Sequence, residues 1–269
     1  MASPVFSSGK EFKPNATFAQ MNAPVSAEAL EAQFNLPDAE PQRPGVMTYE
    51  GTITKTALIA LLVGLAAVPG VLFPNYAAMW AGAIVGFVLS LVIIFQKKAN
   101  PALIAIYAIA EGYFLGAITS FVERWTGPGP GVQALLATFI TFAVCLYLYR
   151  SGKVRYTSKM RKFLLIGGIS YLAFSLVNLG YMIFSDSNAA WGLRSEVMLG
   201  PVPLGVALGA FAVILACVSL IADFDFIENA VKNRAPEHVE WKAAFGLILT
   251  LVWLYIEFLR IIAILQGRD

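Results

Sequence analysis

Charge is scarce in this sequence. Only 13% of its 269 residues are Asp, Glu, Lys or Arg, against 58% hydrophobic, a balance outside that of soluble domains. Imidazole and thiol are scarcer still. There is one histidine, His238, and the two cysteines, Cys145 and Cys217, fall inside apolar runs with no C-x-x-C spacing. A zinc site needs clustered His and Cys ligands and a disulfide framework needs more cysteines, so neither is expected. No H-E-x-x-H occurs, and a lone histidine in a connection cannot serve a metalloprotease or a Ser/His hydrolase. The Gly-x-Gly-Asp element of intramembrane aspartyl proteases is also missing. The chain is therefore not expected to be an enzyme, nor to hold a permanent cofactor.

What is present is a series of apolar runs of roughly twenty residues, the length that crosses a hydrocarbon core of about 30 Å. They cover Thr56–Phe73, Ala77–Phe95, Pro101–Val122, Val132–Tyr149, Phe163–Phe184, Val202–Ala222 and Ala243–Leu265. The fold class is accordingly an all-α integral membrane protein with seven transmembrane helices over residues 53–269. Residues 1–52, rich in Ala, Pro, Ser, Asn and Glu and without a hydrophobic period, are expected to be a disordered cytoplasmic tail. They lack the charge and apolar pattern of a secretory signal.

The formal net charge of +2 says less than where the basic residues lie. Lys97 and Lys98 follow the second run. Arg150, Lys153, Arg155, Lys159, Arg161 and Lys162 lie between the fourth and fifth, and Lys232, Arg234 and Lys242 between the sixth and seventh. The opposite connections offer little beyond Arg124 and Arg194. The positive-inside rule then places the N-terminus in the cytoplasm and, after seven spans, the short C-terminus outside a cell membrane.

Ionisable residues within the runs are few: Glu111, Glu257, Arg260 and, at the end of the sixth, Asp223 followed by Asp225. An acid in a span is expensive and is by default a functional hypothesis. A carboxyl in hydrocarbon resists ionising and a second acid beside it makes one of the two keep its proton, so an Asp223/Glu257 pair would share a proton and act as a pH-sensitive gate. Ionised, the pair would offer calcium hard oxygen ligands. The plainer readings are that Asp223 and Asp225 are solvated acids at a helix end, that Glu257 pairs with Arg260 at i,i+3, and that Glu111 is a structural hydrogen-bonding residue. Geometry sets a condition on the pair. If the seventh helix runs straight from Pro236, Glu257 lies about 15 Å higher than Asp223 and they do not meet; pairing requires a bend near Gly246. Gly112 and Gly116, and likewise Gly205 and Gly209 with Ala207 and Ala210, have the small-residue spacing that lets helices approach closely.

The segment Ala222-Asp223-Phe224-Asp225-Phe226-Ile227 resembles the acidic end of the sixth span in the Bax inhibitor, or transmembrane Bax inhibitor motif, family. Leu254-Tyr255-Ile256-Glu257-Phe258-Leu259 resembles that family's acidic last span, and Asn100-Pro101 with Glu111-Gly112 its third. The long N-terminal tail and the extended connection before the seventh span resemble a bacterial branch. The resemblance implies a central final helix wrapped by the others, and a pH-sensitive calcium leak of the bacterial inner membrane in which Asp223 and Glu257 take the paired-acid positions. Calcium would then be the transported ion, bound transiently by those two acids. An arginine latch found in the family has no counterpart on the second span, where only Lys97 or Lys98 is available. Some relatives instead act as stress-protective regulators that bind other membrane proteins such as a quality-control protease. That alternative gives weight to the N-terminal tail.

Overall fold

The computed structural model describes residues 45–185 and 191–267. The expected tail lies outside the described residues as far as residue 44; residues 49–52, expected to belong to it, instead form the first turn of the first helix. The long helices are α1 (Tyr49–Leu72), α2 (Tyr76–Phe95), α3 (Pro101–Thr126), α4 (Pro130–Arg150) and α5 (Ser158–Phe184). A short helix, α6 (Leu193–Glu196), and a two-stranded ribbon of β1 (Met198–Leu199) and β2 (Val202–Pro203) precede α7 (Leu204–Lys232) and α8 (Val239–Gln266). Seven of these helices are long and apolar enough to cross a membrane. The fold is an all-α, seven-span bundle, as the sequence predicts.

Helix caps form where one apolar run gives way to the next. Asn75 accepts from the Ala78 amide at 3.0 Å, and Asn100 from the Ala102 amide at 3.0 Å with Pro101 in the first turn, where it removes no helical hydrogen bond. The main departure is length. α7 continues through the acids to Lys232, ten residues past the apolar limit at Ala222, because a helix need not stop where hydrocarbon stops.

The outer faces are apolar: Leu61 is 58% exposed, Phe139 58% and Ile166 64%. In water such a surface would be a large patch; in a bilayer it is the lipid contact. Inside, α8 packs against α7, α4, α1 and α3, so it is the central helix. Leu254 and Ala263 on it are fully buried. The α1–α3 contact rests on glycine. A side chain at Gly112 would strike the Val63 carbonyl and one at Gly116 the Ala67 carbonyl, so the two backbones meet directly.

One expectation fails. α8 is an unbroken helix through Gly246, with no turn from surface to span there. Nothing in the sequence breaks the helical pattern at this glycine, and Gly alone costs a helix only about 1 kcal/mol.

Candidate functional site: an acid at the seam of the last two helices

Asp223 lies half-buried on α7, nine residues before its end, and faces α8. Its Oδ2 accepts a hydrogen bond from the Thr250 hydroxyl at 2.8 Å. Opposite its other oxygen is Gly246, where a Cβ would come to 3.5 Å of Oδ1, ordinary contact. Thr250 Oγ1 also lies 3.2 Å from the Gly246 carbonyl and 3.3 Å from Ser219 Oγ. Three side-chain oxygens thus converge at the seam, with one carboxylate among them. Asp223 makes no ion pair among the described residues.

Glu257 is elsewhere, and the predicted carboxylate pair does not form. Because α8 is one continuous helix, Glu257 stands seven residues, about 10 Å, beyond Thr250. Its level on α7 is Gly209, where a Cβ would lie 4.0 Å from Glu257 Oε2. The two acids therefore supply no joint calcium site. Instead Glu257, only 1% exposed, accepts from Arg260 Nη1 at 2.9 and 2.8 Å, from Trp253 Nε1 at 3.3 Å and from the Tyr171 hydroxyl. Arg194 lies 4.0 Å away and donates to Tyr171 at 2.8 Å and to Ser175 at 2.7 Å. The i,i+3 pairing with Arg260 is what the structure contains. It is widened by an arginine and a tyrosine from the opposite connection and α5, which no local spacing pointed to.

Asp225 is not simply solvated. It accepts from Asn229 Nδ2 at 3.0 Å, and Tyr149 bridges weakly to it at 3.5 Å while donating to Glu228 at 2.5 Å. Arg155, at 2.8 Å, and Lys232 complete the Glu228 network. Lys97 and Lys98 are exposed and make no ion pair with Asp223 in this structure. At the end of α2 it is Lys242 of α8 that makes the contact, donating to the Gln96 carbonyl at 3.3 Å.

At the same end, sequence reading missed a strap. The Met47 amide donates to the Ala235 carbonyl at 2.8 Å and the Glu237 amide to the Gly45 carbonyl at 2.5 Å. Glu240, 2% exposed, accepts from the Thr48 amide at 2.7 Å and from Lys55 at 2.5 Å. The entry to α1 is thereby tied to the α7–α8 turn beneath Asp223. Such pairing across some 190 residues leaves no local signature.

Glu111 is buried on α3 and lines a small cavity with Tyr107 and Ser90. Among the described residues no group of three or more His, Cys, Asp or Glu side chains gathers as a metal cage.

A family model described as Bax inhibitor 1 like matches residues 3–267. The chain belongs to the Bax inhibitor 1 like family. The match spans almost the whole sequence, tail included, and supports a membrane regulator or channel-like role for this Bax inhibitor 1 like protein. No match was found among curated proteins.

Proposed function

We propose that this Bax inhibitor 1 like protein is a proton-modulated cation leak, with calcium the ion that its family resemblance implies and Asp223 the switch. The observation that carries this reading is the 2.8 Å contact between Asp223 and the Thr250 hydroxyl at the α7–α8 seam, with no cation paired to the acid among the described residues.

Thr250 has one proton and two acceptors. When Asp223 is ionised, the hydroxyl donates to it. When Asp223 is protonated, its own O–H can donate to Thr250 Oγ1, which frees the threonine proton for the Gly246 carbonyl at 3.2 Å. Gaining a proton thus reverses a hydrogen bond between the two helices and removes the charge that would draw a cation into the seam. Protonation and cation entry compete for one carboxylate.

The test is calcium flux into proteoliposomes over a range of pH. Asp223→Asn keeps a hydrogen-bonding side chain but cannot ionise, so its flux is expected to stay flat with pH while wild type varies. An Asp223→Asn protein with wild-type flux and wild-type pH response would falsify the proposal.

The second reading, a regulator that binds other membrane proteins such as a quality-control protease, draws support from the strap. The segment where the tail joins the bundle is fastened to the α7–α8 turn, so a partner pulling on the tail would act on the seam.

A further inference from the structure

Glu111 sits ten residues into α3, about 15 Å along its axis and so near mid-span. Among the described residues it makes no ion pair. It opens on a cavity of about 140 Å³ between α2, α3 and α8. Its otherwise apolar lining carries three polar side chains, Glu111, Tyr107 and Ser90. Tyr107 lies one turn before Glu111 and is 1% exposed; its ring is fixed edge-on against Phe245 at 5.0 Å, and its hydroxyl has no hydrogen-bond partner among the described residues. Ser90, 7% exposed, adds a third oxygen, whose proton goes to the Phe87 carbonyl at 2.7 Å and whose lone pairs remain free. Gly86 makes the cradle, since a side chain there would overlap Glu111 Oε2.

We infer that this cavity binds a partly hydrated monovalent cation of sodium's size, held by the Glu111 carboxylate and the Tyr107 and Ser90 hydroxyl oxygens. Charge selects the valence: one carboxylate neutralises one positive charge, and a divalent ion would leave an uncompensated charge in a low-dielectric site. Hard cations take oxygen ligands, and three from the protein leave the remainder to water. At about 30 Å³ per water, the cavity has room for the ion and a few waters. The remaining walls, Ala83, Phe87, Phe114 and Leu249, offer no competing charge. This site is separate from the α7–α8 seam and shares no residue with it.

The experiment is thermal unfolding of the purified full chain in detergent at alkaline pH. Sodium chloride is titrated against N-methylglucamine chloride at constant ionic strength, with sodium NMR as a direct probe of binding. Sodium is expected to raise the midpoint in a saturable way, and Glu111→Gln to abolish that rise. Tyr107→Phe and Ser90→Ala are each expected to weaken the apparent affinity by up to roughly tenfold, the size of one lost hydrogen-bonding ligand, and they carry the test if Glu111→Gln does not fold. Asp223→Asn is expected to keep the full sodium response. Equal midpoints in the two salts, unchanged affinity in both hydroxyl variants, saturation by calcium at lower concentration than sodium, or loss of the response in Asp223→Asn would each overturn the assignment.

Discussion

Thr250 Oγ1 meets Asp223 Oδ2 at 2.8 Å, while Glu257, seven residues further along the same helix, binds Arg260 Nη1 at 2.8 and 2.9 Å. The two acids of the last two spans therefore have different jobs. One is a single carboxylate facing a hydroxyl at the end of the bundle that carries the basic loops. The other is neutralised twice over inside a cluster with Arg194 and Arg260.

Thr250→Val removes the hydroxyl that meets Asp223. The expected outcome is a calcium flux whose pH dependence shifts or flattens, with a loss of stability of about 1–3 kcal/mol from leaving the acid without its donor. Thr250→Asp would place a second carboxyl beside Asp223, and its flux should titrate in two steps because two close carboxyls lose their protons separately. Flux against pH in proteoliposomes decides both.

Glu257→Gln leaves the buried Arg194 and the partly buried Arg260 without their carboxylate. Breaking a buried ion pair by removing one partner costs about 3–5 kcal/mol, so thermal unfolding in detergent should show a large drop in midpoint. Glu257→Gln combined with Arg260→Met should recover part of it. A pH response of flux that persists in the double variant would separate this cluster from the switch.

Glu240→Gln weakens the strap, which depends on its contacts to the Thr48 amide and Lys55. Limited proteolysis should then cut around residues 44–48 at protease levels that leave wild type intact there. A protein with unchanged cleavage would show that the backbone pairing of Met47 and Gly45 holds the strap by itself.

Partner binding is tested by truncation, and the strap fixes where to cut. Removing residues 1–43 takes away only what precedes the segment docked on the α7–α8 turn; a longer cut through Thr48 would also remove that docking. Loss of a captured membrane protein with calcium flux intact is the outcome expected if the tail serves the regulatory role. Retained capture would place the partner surface on the bundle.

Gly116→Leu is expected to prevent close approach of α1 and α3, because the new side chain meets the Ala67 backbone rather than a movable side chain. Overpacking of this kind costs about 1–3 kcal/mol or more. Unfolding midpoint and yield of folded protein report it.

The sequence by itself determined the seven spans and the close approach at Gly112 and Gly116. Each follows from local chemistry: the length of an apolar run, the missing Cβ. It also singled out Asp223, Glu111 and Glu257, because a carboxylate in an apolar run is conspicuous wherever the run goes. What those acids face was decided only in the tertiary structure. The axial level of α8 relative to α7 depends on where the intervening turn ends and on Gly246 staying helical, and a shift of seven residues along α8 exchanges Glu257 for Thr250 opposite Asp223. Arg194, Tyr171, Tyr107 and the strap at Gly45–Thr48 come from segments far apart in the chain, so their partnerships exist only once the helices are packed.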